Sequence, residues 1–283
     1  MSARRILLAA AAVLLPLLGA APVWAQSPAA DLPEAIRKQG FIRVGIEATY
    51  PPMAYKDPAT NERRGINVDL LNALGKVMGV EIRYEEMAFA QLIPAVTTER
   101  VDFSGTAMSD TAARRETLSF VDYLSTGAQI FTTTAQARGA KEAVDFCGRS
   151  VATPRTTNYP RQVQEWSDAH CVAAGKPPIR VIGTDGAAAS RLDLQQGRAD
   201  GAVLGAEYVV YLQSLEPGNF VTVGAPITRG LFGLAFAKKD AALRDAVAAG
   251  LQRMVADGSY AEIVRRNGME RQALTAITVD QGE

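Results

Sequence analysis

The 283-residue chain is poor in histidine and cysteine and carries no net charge. Its single histidine, His170, lies beside Cys171, so a histidine-based catalytic triad has no good candidate. Two thiols and one imidazole also fall short of the four ligands of a structural zinc site, and we predict no metal ion. No phosphate-cradling glycine loop appears, and we predict no cofactor. With 30 basic and 30 acidic residues, the chain lacks the positive field that nucleic-acid binding usually needs.

Long apolar runs are also scarce, and the clearest one lies near the start of the printed sequence. Arg4 and Arg5 precede an apolar run over residues 6–18, and V-W-A at 23–25 fits the small-x-small rule for cleavage. The run is shorter than the roughly 20 residues that a membrane span needs. We therefore predict a secretory signal peptide over residues 1–25 and a soluble mature protein.

The predicted export indicates the oxidation state of the two cysteines. Cys147 and Cys171 both lie in the exported part, and two cysteines in an oxidising compartment most simply pair. We predict a disulfide between them that stabilises the fold by roughly 3 kcal/mol in the loop-entropy description.

Strand and helix patterns alternate along the mature chain in two similar blocks. This alternation predicts the α/β class, with parallel sheets that helices cover on both faces. We expect one lobe from residues 26–134 together with 226–283, and a second lobe from residues 135–225. Residues from about 269 are expected to form a tail. Two crossings between lobes make a hinge, and a cleft between the lobes can close on a ligand.

The stretch 104–123 shows the clearest signs of a ligand site. It follows a short apolar strand at 101–103 and places small, hydroxyl-bearing residues before Arg114. Small residues let a ligand approach the backbone, and an arginine supplies a rigid fork for a carboxylate. In parallel sheets, ligands bind outside the carboxyl ends of the strands. Since Tyr50 and Phe89 also follow predicted strands, three separate segments should converge on one edge.

Several segments match a known family when they are taken in order. They are I-R-V-G-I-E-A-T-Y-P-P-M at 42–53, G-I-N-V-D-L-L at 65–71, F-A-Q-L-I-P-A-V at 89–96, M-S-D-T-A-A-R-R-E-T-L-S-F at 108–120, G-R-A-D at 197–200 and D-G-S-Y-A-E-I at 257–263. Each is degenerate alone, but their order and spacing are specific over nearly all of the mature chain. The sequence resembles the periplasmic solute-binding proteins of polar amino-acid ABC importers, the family 3 extracellular solute-binding proteins.

The resemblance implies a fold, a location and a role. The fold would be two Rossmann-like α/β lobes joined by two hinge strands, the type II periplasmic binding protein architecture, with the ligand cleft between the lobes. The protein would be a periplasmic monomer that captures a small carboxylate-bearing solute, an amino acid or a related organic acid. It would present this solute to the membrane permease of an ABC importer.

The resemblance also implies roles for individual residues. In the S-x-T-x-x-R pattern, here 109–114, the arginine Arg114 would grip the α-carboxylate of the ligand. Further contacts are implied for Tyr50 and Phe89 over the apolar part of the ligand, for Glu47 at its side chain, for Thr106, Ala107 and Ser109 before the arginine, and for Thr156 and Thr157 in a turn that opens a helix of the second lobe.

Two positions depart from the family pattern. Arg155 stands where the turn usually has a glycine, and Gly205 or Ala206 stands where an aspartate usually pairs with the α-ammonium of the ligand. Glu207 is near in sequence and could substitute for that aspartate. With Arg155 as an added cation and no aspartate for the α-ammonium, the expected ligand shifts toward a carboxylate without an α-ammonium, or toward a dicarboxylate.

The fold also resembles that of periplasmic cyclohexadienyl dehydratases, which leaves an enzyme as the alternative. Such enzymes use a cleft acid as proton donor, and Glu47 or Glu207 could serve if an apolar site raised its pKa. The residues show no set of nucleophile, base and acid, so we expect a binding protein and no enzymatic activity. A sensory module with the same cleft is a third possibility.

Overall fold

The computed structural model describes residues 32–282, and the predicted signal peptide lies outside the described residues. The helices are α1 (Glu34–Gln39), α2 (Ile66–Met78), α3 (Phe89–Thr97), α4 (Ala112–Arg115), α5 (Tyr159–His170), α6 (Ala187–Gln195), α7 (Ala206–Leu215), α8 (Ala241–Ala256) and α9 (Ser259–Arg266). The strands are β1 (Phe41–Ile46), β2 (Thr49–Tyr50), β3 (Ala54–Lys56), β4 (Arg63–Arg64), β5 (Glu81–Glu86), β6 (Phe103–Ser109), β7 (Leu118–Thr126), β8 (Ala128–Thr133), β9 (Ser150–Pro154), β10 (Arg180–Thr184), β11 (Gly201–Gly205), β12 (Phe220–Thr222), β13 (Gly230–Ala237) and β14 (Ala273–Val279). Between residues 32 and 282, no helix has both the length and the apolar character to cross a membrane.

The first lobe is built on a six-stranded sheet with the order β14-β7-β13-β6-β1-β5. Strand β1 pairs in parallel with β5 and β6, as the alternating pattern predicts. Strand β13 runs antiparallel to both β6 and β7, and the prediction of a purely parallel sheet is wrong here. The reason is that β13 returns from the second lobe and enters the sheet from the opposite end.

The second lobe is built on a five-stranded sheet with the order β10-β9-β11-β8-β12. Strand β8 pairs antiparallel with β11 and β12, so it belongs to this sheet. The first crossing between the sheets is therefore at Gly127, and the predicted boundary after residue 134 is too late. The sequence shows residues 128–134 as an extended run rich in threonine, and the side chain of Thr132 is buried and donates to the carbonyl oxygen of Asp200 at 2.7 Å.

The two crossings run side by side. The amide of Ala128 donates to the Thr228 hydroxyl at 3.0 Å, and the amide of Ile227 donates to the carbonyl oxygen of Ala128 at 2.7 Å. Gly127 is required at this point, because a Cβ there would collide with the carbonyl oxygen of Thr228. Two α/β lobes joined by two adjacent crossings confirm the predicted type II architecture.

The predicted disulfide is present. Cys147 and Cys171 are bonded, with Cα atoms 5.5 Å apart. The bond ties the loop before β9 to the end of α5, beside a buried cluster that includes Phe146 and Val163. Both elements belong to the second lobe, so the disulfide stabilises that lobe and leaves the crossings unconstrained.

Residues after 269 do not form a simple tail. Strand β14 pairs antiparallel with β7 at the edge of the first sheet. The Asp280 carboxylate, just beyond the strand, accepts hydrogen bonds from the Ser119 hydroxyl and the Phe120 amide, both at 2.7 Å. The strand was missed because an edge strand is only partly buried, which leaves its apolar alternation weak.

Candidate ligand-binding cleft

A cleft of about 280 Å³ lies between the two lobes. Strand ends of the first lobe and the turns before α5 and α6 of the second lobe form its walls. Among the predicted ligand residues, those that line it are Glu47, Tyr50, Phe89, Thr106, Ala107, Ser109, Arg114, Thr156 and Thr157. The structure thus brings together segments that are far apart in the sequence, as the positions after strand ends predict.

Arg114 projects into this cleft from the short helix α4. The Thr111 side chain caps the helix and accepts a hydrogen bond from the Arg114 amide at 3.4 Å. The guanidinium donates through Nη1 to the carbonyl oxygen of Ser109 at 2.8 Å, and its central carbon lies 5.4 Å from the centre of the Phe89 ring. A guanidinium held in this way is oriented before a ligand arrives, which reduces the entropy cost of binding a carboxylate.

Strand β6 supplies the small residues of the first-lobe wall. All of its residues are buried, and the Thr106 hydroxyl accepts a hydrogen bond from the Glu47 amide at 2.7 Å. Gly105 lets the strand lie close to its neighbours, since a Cβ there would come within 2.6 Å of the Leu71 side chain. The strand starts at Phe103 and includes the small residues that the sequence places beyond its end. Thr106 and Ala107 therefore reach the cleft from the sheet itself.

The second-lobe wall is the turn that leads into α5. The Thr157 hydroxyl donates to the carbonyl oxygen of Pro154 at 2.8 Å and accepts from the Tyr159 amide at 3.3 Å. Asn158 faces the first lobe, where its side-chain oxygen accepts from the Ser109 hydroxyl at 3.4 Å. The positive end of α5 thus lies at the cleft, a favourable place for a negatively charged ligand group.

Arg155, which the sequence suggests as a ligand contact, does not line the cleft. Its side chain is more than half exposed and pairs with Asp185 at 2.7 Å. It also donates to the carbonyl oxygen of Gly183 at 3.0 Å. The turn directs this side chain toward β10, so the cleft does not gain the extra cation that the sequence suggests.

Glu207 does not line the cleft either, because it lies behind Tyr50. Its side chain is buried and accepts hydrogen bonds from the Tyr50 hydroxyl at 2.8 Å and from the Thr126 hydroxyl at 3.2 Å. Burial raises the pKa of this carboxyl to about 7, although the hydrogen bonds lower it in part. A Cβ on Gly205 would collide with the Glu207 carboxylate, which therefore occupies the space that a side chain at 205 would take.

Tyr50 connects the two lobes at the back of the cleft. Its ring stacks on that of Tyr208 with 5.3 Å between centroids and 1° between planes. Its hydroxyl also accepts from the Gly205 amide at 3.1 Å. Burial is the main cause that holds the pKa of the Tyr50 phenol well above its usual value, so the hydroxyl stays protonated and donates to Glu207.

Sequence reasoning missed some cleft residues of the second lobe. Tyr159, Asp185 and Gly186 all line the cleft. Asp185 and Gly186 follow β10 directly, so the rule that placed Tyr50 and Phe89 at strand ends could have found them. Asp185 brings an acid to this wall, and the Arg155 guanidinium pairs with that acid at 2.7 Å.

The charged side chains that line the cleft are Glu47, Arg114 and Asp185. Burial raises the pKa of Glu47, while a hydrogen bond with Thr49 and one with the Phe89 backbone oppose that rise. Arg114 and Glu47 can meet a carboxylate and a positive group of one ligand, while the Asp185 carboxylate already pairs with Arg155 at 2.7 Å. This composition does not favour a dicarboxylate, which would place its second charge near an acid.

Fold and site together define a two-lobe solute-binding protein. The model of the bacterial extracellular solute-binding proteins, family 3, matches residues 42–270, and the chain belongs to this family. It is 29% identical to an arginine-binding protein, ArgT, of Corynebacterium glutamicum over 89% of this chain and 82% of that protein. It is 27% identical to an L-arginine-binding protein of Pseudomonas aeruginosa over 78% of this chain and 85% of that protein.

Solved structures give a similar result. An ancestral arginine-binding protein bound to arginine is 25% identical, with a TM-score of 0.71 over 80% of this chain and 97% of that chain. The ancestral amino acid-binding protein AncCDT-1, a precursor of cyclohexadienyl dehydratase, is 26% identical, with a TM-score of 0.71 over 82% of this chain and 97% of that chain.

Proposed function

We propose that the protein binds one α-amino acid with a cationic or polar side chain in the cleft between its lobes. The observation that carries this proposal is the arrangement of charge. Arg114 is held ready for a carboxylate, and Glu47 supplies an acid for a positive group. Asp185 also lines the cleft and shares its charge with Arg155. Phe89 and Tyr50 offer ring faces for the apolar part of the ligand. The arginine-binding relatives favour the same ligand class.

The expectation of an acidic ligand without an ammonium is replaced by this proposal. That expectation rested on Arg155 as an added cation and on the lack of an acid at residue 205. Arg155 does not line the cleft and is paired with Asp185, and the Glu207 carboxylate occupies the space beside Gly205. The first premise is therefore lost. Glu207 lies behind Tyr50 and does not line the cleft, so the acid for an ammonium would be Glu47.

Calorimetry with a panel of ligands tests the proposal. The panel contains L-arginine, L-lysine, L-histidine, L-glutamine, L-cystine, L-glutamate and succinate. We expect the tightest binding from a cationic or polar amino acid, and weak or no binding of succinate. Tighter binding of succinate or glutamate than of every cationic and neutral amino acid would contradict the proposal.

We also propose that residues 1–25 are a signal peptide and that the mature protein acts in the periplasm as a monomer. In that role it delivers its ligand to the permease of an ABC importer. The family of extracellular binding proteins supports export. The amino-terminal sequence of protein from a periplasmic extract tests the cleavage, and Gln26 is the expected first residue. Recovery of uncleaved protein from the cytoplasm would contradict it.

A dehydratase activity is the second candidate. Glu47 favours it, because this acid lines the cleft and burial raises its pKa. Glu207, the other candidate proton donor, lies behind Tyr50 and does not line the cleft. Incubation with prephenate separates the two functions: formation of phenylpyruvate would support the enzyme, and amino-acid binding without turnover would support the binding protein.

A further inference from the structure

Asp110 lies between the two residues that contact Arg114, although it does not itself line the cleft. It is fully buried and lies between Ser109 and Thr111. These two neighbours make the contacts that orient Arg114: the Ser109 carbonyl accepts from its guanidinium, and the Thr111 hydroxyl accepts from its amide. A displacement of Asp110 would therefore move both supports of Arg114 together.

Three bonds fix Asp110 in place. Its amide donates to the carbonyl oxygen of Leu231 in β13 at 2.9 Å. Its carboxylate accepts from Arg115 Nη1 at 2.8 Å through one oxygen and from the Gly282 amide at 2.7 Å through the other. The last of these partners lies beyond β14, far away in the sequence.

The residues beyond β14 are themselves anchored to the first sheet. The Asp280 amide donates to the carbonyl oxygen of Phe120 at 3.2 Å, while its carboxylate accepts from Ser119 and Phe120. The Gln281 amide donates to the Asp122 carboxylate at 3.0 Å. These contacts define where the next residue, Gly282, must lie.

Gly282 packs against Asp110 so closely that no other residue fits. A Cβ at position 282 would collide with the carbonyl oxygen and with the side chain of Asp110. Because one of these atoms belongs to the backbone, a larger residue would have to displace the chain at either 110 or 282. This packing and the hydrogen bond to the Asp110 carboxylate join the two segments at one point.

We propose that residues 280–282 and Asp110 form a brace that positions Arg114 for the carboxylate of the ligand. Asp110 is a positioning residue, since it acts through Ser109, Thr111 and Arg114. The inference rests on the proposed function, because it takes Arg114 as the carboxylate anchor. It adds that affinity for the carboxylate depends on a segment that lies outside the cleft.

The test compares Asp110→Asn and Gly282→Val with the matched control Gln281→Ala, which keeps the backbone contacts of the brace. Calorimetry measures the dissociation constants of L-arginine and of L-argininamide, which lacks the carboxylate. Loss of one charge-assisted hydrogen bond corresponds to about tenfold in affinity. We expect the two brace variants to bind L-arginine about tenfold more weakly and L-argininamide almost unchanged. A brace substitution that is added to Arg114→Ala should cause no further loss, because its effect acts through Arg114.

Hydrogen exchange without ligand provides a second readout. In the brace variants the amides of residues 109–115 should exchange faster than in Gln281→Ala. This expectation does not depend on which ligand the protein binds. Unchanged exchange in that segment, or an equal loss of affinity for the acid and the amide, would overturn the brace. Failure of the unmodified protein to bind any amino acid would instead refute the proposed function, and the exchange result would still decide the brace.

Discussion

Glu207 is a buried acid, and its ionisation should make the stability of the protein depend on pH. Its carboxyl is almost fully inaccessible to solvent, and burial raises its pKa from 4.5 to about 7. In the unfolded chain the group ionises near 4.5, whereas in the folded protein it keeps its proton until about pH 7. The folded state therefore binds more protons between these values, and stability falls as the pH rises through this range.

The size of the effect follows from the rise in pKa. Each pKa unit corresponds to about 1.4 kcal/mol, so Glu207 should cost about 3 kcal/mol of stability once the pH exceeds about 7. Glu207→Gln removes the charge and keeps the shape. The glutamine oxygen can accept from Tyr50, and its amide can donate to the Thr126 hydroxyl. We expect the variant to match the unmodified protein at about pH 5 and to exceed it by about 3 kcal/mol at about pH 8.

Urea denaturation at a series of pH values measures this difference. Asp168→Asn serves as the control, because it neutralises an exposed acid on α5. Its stability at the same pH values gives the reference for removal of an exposed carboxylate. If the difference between Glu207→Gln and the unmodified protein were the same at about pH 5 and about pH 8, Glu207 would not ionise in the manner described.

Three further predictions concern other sites. Arg114→Ala should weaken amino-acid binding by about 2–4 kcal/mol in calorimetry, whereas Arg161→Ala on α5 should not; equal affinities would contradict the anchor role. Replacement of Cys147 and Cys171 by serine should lower the free energy of unfolding by roughly 3 kcal/mol in urea, and an unchanged value would show that the disulfide adds nothing. Asp122→Asn should also reduce the loss of stability with rising pH, since burial raises the pKa of Asp122 to about 7. A pH profile identical to that of the unmodified protein would contradict this.

Local patterns predicted the elements whose burial is regular. Helix α2 (Ile66–Met78) is such an element, because its apolar residues recur at helical spacing and Gly79 ends it in the left-handed conformation. The sequence places β8 in the first lobe and β14 in a tail, whereas the structure has β8 in the sheet of the second lobe and β14 at the edge of the first sheet. Both pair with strands that are distant in the sequence, and such pairing depends on tertiary structure more than on local composition.

The site residues also divide into those that local sequence patterns predict and those whose placement depends on tertiary contacts. Positions after strand ends identified Tyr50 and Phe89, because the topology of an α/β sheet brings such ends together. The direction of a side chain within a turn depends on partners elsewhere in the fold. Arg155 pairs with Asp185 and does not itself line the cleft. Glu207 folds back over Gly205, which only a residue without a side chain permits.

A crystal structure with bound L-arginine tests the central claim most directly. The α-carboxylate of the ligand should lie within about 3 Å of the Arg114 guanidinium, in the cleft between the two lobes. The positive groups of the ligand should face Glu47 or Asp185. A ligand whose carboxylate lies away from Arg114, or that binds outside the cleft, would contradict the assignment.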